Sequence, residues 1–182
     1  QKGLSEYLET KRSAFSRFYF LSNDELLEIL SQSKDPQAVQ PHMRKCFDNL
    51  VKLDFGDDPS SVDIAGMYSG EGERVALGKN LKARGNVEDW LSAVEQRMKL
   101  SLHGLMKAGL LDYDGRVRDE WVMDHPGQIV ATVAQMMWAR GSEEALRAGT
   151  EDQMRRWYEQ NLTDLLGLIG KIRSDLTSLQ RK

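Results

Sequence analysis

The stretch of this 182-residue chain that most invites a chemical reading is EGERVALGKN, residues 71–80. A phosphate-binding loop needs G-x-x-x-x-G-K followed by Ser or Thr, so that backbone amides wrap the phosphates and the hydroxyl reaches Mg²⁺. Here five residues separate Gly72 from Gly78, and Asn80 stands where the hydroxyl should be. The segment therefore reads as a turn rather than a nucleotide site. His42, His103 and His125 form no H-E-x-x-H pair and do not meet Cys46 at metal-ligand spacing, so solvated or capping roles are expected for them. Cys46 lies in HMRKCFDN, where Arg44 and Lys45 could lower a thiol pKa, but a buried small hydrophobe is the better account. No carboxylate pair stands apart from turns and helix caps, so general acid–base catalysis has no specific support. The expectation is a chain with no catalytic, cofactor-binding or metal-binding residues of its own.

Composition narrows the class further. Charged residues are 29%, hydrophobic residues 40% and aromatics 8%, which describes a globular chain. The net charge of −3 argues against a nucleic-acid partner, and no apolar run reaches the roughly 20 residues that span a bilayer. One cysteine excludes an intrachain disulfide and fits a reducing compartment. The polar start, QKGLSEYLETKR, does not read as a signal peptide, and both ends read as cuts in a longer pattern.

The elements that would position any site are mostly helical. Leu4, Leu8, Lys11, Phe15 and Phe18 follow one helical face, broken by the lysine. Ser22 and Glu25 make an S-x-x-E capping box for a helix with the apolar stripe Leu26, Leu27, Ile29 and Leu30. Asp35-Pro36 opens a new turn, and a third short helix is expected through DNLVKL. Residues 62–83 read as a β-hairpin centred on Gly70, Glu71, Gly72 and Glu73. Asn86 restarts helix with Val87, Leu91, Val94, Met98, Leu102 and Leu105 on one face, to be closed by Gly109 and the Asp112–Gly115 turn. A short helix ends at Pro126-Gly127, another runs from Gln128 to about Ala139, and Ser142 caps a brief helix ending near Gly149. The four tryptophans sit on helical segments, where packing is the default role. From Met154 to Leu179 a near-heptad stripe predicts a closing helix of about 30 residues, roughly 45 Å long. The expected fold is mainly α, an elongated helical bundle or arch. Short helices over 1–55, a loop and hairpin over 56–85, a helical body over 86–149 and a long helix over 150–182 would compose it.

At RFYFLSNDELLEILSQSKDPQAVQPHMRKCFDNL the chain closely resembles the proximal linker region of dynein heavy chains. The likeness continues through MYSGEGERVAL, GNVEDWLSAVEQRMK, RDEWVMDHPGQIV, EEAL and the Leu-rich end, covering nearly the whole chain in order. Ser16 stands where the family usually has proline, and Ala139 where threonine follows the tryptophan. QPHMRKCFDNL is more similar to axonemal than to cytoplasmic chains, and LSNDELLEILSQ is closer to inner-arm chains. The resemblance implies a mechanical lever that couples a ring of six AAA+ modules to the rest of the linker and the tail. ATP and Mg²⁺ would bind the parent motor outside these residues, and microtubules would be met only indirectly. The implied location is the cytoplasmic cytoskeleton, in the axoneme of a cilium or flagellum. Phe18, Tyr19, Phe20, Ser22 and Glu25 would form a structural junction, each buried ring contributing about 1.5–3 kcal/mol. The Gly70–Glu73 turn would be an interaction hairpin touching ring or tail. A stand-alone helical adaptor is the competing reading.

Overall fold

A computed structural model describes residues 2–32, 35–58, 60–79 and 81–181. The described chain is mainly helical with a small antiparallel sheet. It divides into two compact units, Gln1–Ser101 and Leu102–Lys182, and the chain passes from one to the other within a helix.

In the first unit, α1 (Lys2–Ala14) leads into a 3₁₀ turn, Ser16–Phe20, and then α2 (Asn23–Ser31). Of the predicted α1 face, Leu8, Phe15 and Phe18 are buried, whereas Leu4 is exposed. The α2 stripe divides similarly: Leu26 and Ile29 are buried, and Leu27 and Leu30 are half-buried. Asp35 caps a second 3₁₀ turn, Pro36–His42, through a 2.9 Å bond accepted from the Gln37 amide. The one-turn helix α3 (Met43–Cys46) follows.

The expected helix through DNLVKL is a strand, β1 (Leu50–Asp54). Asn49 takes a φ of +55°, which ends the helical path in a conformation that asparagine tolerates better than most residues. A bulge between Leu50 and Lys52 resets the strand's alternation, so Leu50 and Leu53 both face inward. That three-residue spacing is also the spacing of a helix, which is why the pattern misleads.

β1 pairs antiparallel with β2 (Gly66–Ser69), and β2 with β3 (Arg74–Ala76), in the order β1-β2-β3. The pairing continues outward through Ile64 N–H to the Leu81 carbonyl, 2.8 Å, and Ala83 N–H to the Val62 carbonyl, 2.7 Å. The expected 62–83 hairpin is therefore present, with β1 added along its edge. On the central strand, Gly66 leaves room for Arg74 to reach Asp54 on β1 at 2.8 Å; an added Cβ would meet the Arg74 guanidinium at 3.1 Å.

α4 (Val87–Tyr113) begins in the first unit, where Val87, Trp90, Leu91 and Val94 are buried. In the second unit its Leu102, Leu105, Met106 and Leu110 pack around Trp121 of α5 (Arg118–Asp124) and Ile129 and Val133 of α6 (Gly127–Ala148). Gly109 does not end α4. It is a point of close approach, where an added Cβ would meet Ile129 Cγ2 at 3.0 Å, and its carbonyl accepts the Trp121 indole N–H at 3.1 Å.

α6 is likewise one helix where two were expected. Gly141-Ser142 does not break it, because the Trp157 ring of α7 (Glu151–Ile172) lies directly over Gly141. The Trp157 indole donates to the Ser142 hydroxyl at 3.1 Å, and that hydroxyl donates back to the Trp138 carbonyl instead of capping a new helix. Gly149, at φ +67°, ends α6 in the left-handed conformation that favours glycine. α7 stops at Ile172, giving 22 residues or roughly 33 Å, shorter than the sequence pattern predicts. It lies against α5 and α6 through half-buried Trp157, Asn161, Asp164 and Leu168.

Candidate functional site

Of the three consecutive aromatics expected to form a junction, one is buried and two are exposed. Phe18 is fully buried and meets Phe15 edge-on, with ring centroids 5.0 Å apart. Tyr19 and Phe20 are 55% and 67% exposed. A 3₁₀ turn advances about 120° per residue, so three consecutive rings cannot share one face. The Tyr19 hydroxyl donates to Glu9 on the surface.

Ser22 and Glu25 form the reciprocal cap. The Glu25 amide donates to Ser22 Oγ at 3.3 Å, and the Ser22 amide to Glu25 Oε2 at 3.0 Å. Glu25 also accepts from Lys45. The Lys45 hydrogen bond first, and the Ser22 amide second, hold this carboxyl at about 2, well below its ordinary 4.5.

Three basic residues fasten the segments around the 3₁₀ turn. Arg12 Nη2 donates to the Leu21 carbonyl at 3.1 Å, and its Nε to the Phe18 carbonyl at 3.4 Å, satisfying acceptors at the end of the 3₁₀ turn. Arg17 Nη1 donates to the Cys46 carbonyl at 2.9 Å and Nη2 to Glu95 on α4 at 3.3 Å, while its guanidinium covers the Phe47 ring. Lys11, the lysine that interrupts the apolar face of α1, pairs with the buried Glu88 at the start of α4. The hydrogen bond to Glu88 raises the lysine's pKa and outweighs the opposing effect of burial. A lysine within an otherwise apolar stripe is the signal that could have found this pair, because such a charge needs a buried partner.

His42 is buried, with Nε2 3.5 Å from Glu28 and Nδ1 4.0 Å from Glu25, rather than solvated or capping. His125 is also largely buried and lies 3.0 Å from Asp112, whereas His103 is exposed. Cys46 is buried, and burial pushes its thiol to about 11 against the opposing pull of Arg17.

The Gly70–Glu73 turn is tied to the sheet. Gly70 N–H donates to Asn49 Oδ1 at 3.1 Å, and Asn49 Nδ2 donates to Glu71 at 3.2 Å. The Glu71 and Glu73 amides both reach the Ser69 hydroxyl, at 3.3 and 3.2 Å, and the Gly72 amide reaches the Ser69 carbonyl at 3.0 Å. These amides are engaged locally instead of lining a phosphate cradle. Gly70 permits the approach of Asn49, since an added Cβ would lie 2.7 Å from its Oδ1. Gly78 takes a φ of +80°, and Asn80, the residue in the hydroxyl position of the P-loop comparison, lies outside the described residues.

Among the described residues, no cluster of His, Cys, Asp and Glu is arranged to hold a metal ion, and no helix is long and apolar enough to cross a membrane. Of the tryptophans, Trp90 and Trp121 are buried and Trp157 is half-buried, but Trp138 is 59% exposed, against the expectation of packing.

Fold and contacts together define an α-rich scaffold in which charged side chains fasten distant segments of the first unit. Residues 1–109 match the family described as "Dynein heavy chain, N-terminal region 2". The chain is 47% identical to Dynein axonemal heavy chain 6 of Homo sapiens, across 100% of this chain and 5% of that one. It is 49% identical to Dynein axonemal heavy chain 1 of Mus musculus, across 100% and 4%, and 44% identical to Dynein axonemal heavy chain 12 of Homo sapiens, across 99% and 6%. The chain belongs to the dynein heavy chain family and spans between 4% and 6% of the length of these relatives.

Proposed function

We propose that this chain is a non-catalytic linker element of a microtubule motor, working in the axoneme of a cilium or flagellum. It would transmit movement between the AAA+ ring of the same heavy chain and the linker and tail preceding it. ATP and Mg²⁺ would be handled by the parent motor outside these residues, with microtubules engaged only through that motor. The observation that carries this reading is the family match over residues 1–109, the same segment that holds the charge-fastened joint. A lever must resist internal sliding, and the joint supplies that resistance. Arg12 holds the 3₁₀ turn to α1, Arg17 bridges it to Cys46 and α4, and Lys11 bridges α1 to α4.

Insertion of a flexible Gly-Ser stretch between Ser101 and Leu102 in the complete motor tests the proposal. Gliding velocity should fall several-fold while ATP turnover persists. Unchanged velocity would remove the lever role.

One feature favours the adaptor reading instead. α7 has no buried residue, and Tyr158, Leu162, Leu165, Leu166 and Ile169 are all exposed. An adaptor would use this stripe to take up a partner helix. Replacing Leu162 and Leu166 by Glu would then release a bound protein without slowing ATP-driven gliding.

A further inference from the structure

Within the second unit a cleft of about 670 Å³ opens among α5, α6, α7 and the turn after α4. Arg118 lines it, with its guanidinium 5.1 Å from the Tyr113 ring centroid and 4.6 Å from that of Trp121. Aromatic rings beside a guanidinium fix its plane and leave its in-plane donors available to a flat anion. Nη1 of Arg118 is shut off from solvent and has no hydrogen-bond partner. A buried N–H without an acceptor is costly and calls for compensation.

The other two arginines of the lining are already engaged. Arg116 pairs with Asp112 at 3.1 Å and Asp124 at 2.7 Å, and Arg140 pairs with Glu144 at 2.9 Å. Arg118 has no carboxylate within ion-pairing distance among the described residues.

We infer that this cleft receives a segment of the same heavy chain from outside residues 1–182, which places an Asp or Glu carboxylate on the Arg118 fork and an apolar side chain on Trp138. The charge of the lining selects this chemistry. Asp114, Glu144 and Asp164 balance the three arginines, so the cleft does not attract a polyanion such as a nucleotide. A single carboxylate supplies the counter-charge that the Arg118 guanidinium lacks. The exposed Trp138 ring supplies an apolar wall for the neighbouring residue.

Occupancy in cis follows from the strength of such a contact. One carboxylate and one apolar side chain would bind as a free peptide with a Kd of about 1 mM or weaker. A tethered segment reaches an effective concentration of about the same size and can remain bound. The relatives' heavy chains are long enough to supply one, since the matched stretch is only 4% to 6% of each. The inference requires membership of a dynein heavy chain, not the lever role.

The test places the photo-crosslinker benzoylphenylalanine at Thr163, which lines the cleft, in the full-length heavy chain. Irradiation should join it to a heavy-chain peptide outside residues 1–182 that carries Asp or Glu near the attachment point. Arg118→Gln and Arg118→Glu should each lower the yield at least about five-fold. Replacing the partner carboxylate by Arg should restore the yield in Arg118→Glu. Yield independent of Arg118, or adducts to a different polypeptide, would overturn the inference. Competition by adenine nucleotide or inorganic phosphate would do so as well, by showing a polyanion site. Hydrogen exchange guards against misfolding: if Arg118→Gln strips protection from α5 and α6, Arg118 is a packing residue and the inference fails.

Discussion

The first unit and the second are both built on α4, yet they bury side chains to very different extents. In the first, apolar residues from α1, the 3₁₀ turns, the sheet and α4 are enclosed on most sides, and charged residues act as fasteners between segments distant in sequence. In the second, buried apolar residues among those described are Trp121, Ile129, Val133 and Ala145, and α7 contributes none. In the first unit the 3₁₀ turns lie against α1, α2 and α3, and β1 lies against α3 and the second 3₁₀ turn. The second unit has helices alone, and a helix packed on one side leaves its other side to solvent. Stability should therefore be concentrated in the first unit, with the second more open to added contacts.

The sharpest way to break this contrast is to remove one large buried side chain from each unit. Phe18→Ala and Trp121→Ala should each cost about 3–5 kcal/mol, read by hydrogen exchange of the corresponding peptides in the intact heavy chain. Tyr19→Ala and Phe20→Ala should each change stability by less than about 0.5 kcal/mol. Equal losses at all three aromatics would contradict a junction resting on Phe18 alone.

The fasteners come next. Lys11→Met leaves the Glu88 carboxylate buried without its partner and should cost about 2 kcal/mol, whereas Lys11→Met with Glu88→Leu should recover most of that. A double variant no better than the single one would mean that the pair's geometry does not matter.

Gly141→Ala should destabilise the α6–α7 packing by about 1–3 kcal/mol, because the new Cβ would lie 2.4 Å from the Trp157 ring. Gly170→Ala meets nothing within 4 Å and should stabilise α7 by about 0.5–1 kcal/mol. Exchange rates across α7 distinguish the two directions.

The smallest effect is at Glu25. Its folded-state pKa lies below the ordinary value, so its contribution is complete above about pH 4.5 and disappears as the pH falls toward about 2. Melting temperatures of the wild type and Glu25→Gln should differ at neutral pH and converge near pH 2. A gap that persists there would assign the effect to packing.

Much of the helical content is legible from local chemistry. The capping box at Ser22 and Glu25, the Asp35-Pro36 turn, the hairpin and the start of α4 each depend on contacts within a few residues. What was hidden depends on distant partners. DNLVKL satisfies helix and bulged-strand spacing equally, and only β2, more than ten residues away, decides between them. Gly109 and Gly141 resemble helix breaks until Ile129 and Trp157 are seen lying against them. The near-heptad stripe continues past Ile172 although the helix does not, because an apolar pattern records a preference without fixing where the turn falls. The burial of Phe18 and the Ser22–Glu25 cap were legible locally, but the charged contacts around them were not: Arg12 and Arg17 are ordinary surface residues by type, and Glu88 lies 77 positions from Lys11.

Cys46 has a practical consequence. Its thiol is buried and titrates at about 11, so it remains protonated and shielded at neutral pH. This part of the heavy chain thus offers a nearly silent background to thiol-reactive dyes. A cysteine introduced at exposed Tyr19 or Tyr158 would take up label far faster than the native one. Fluorophores could then follow either unit while the buried thiol stays in place.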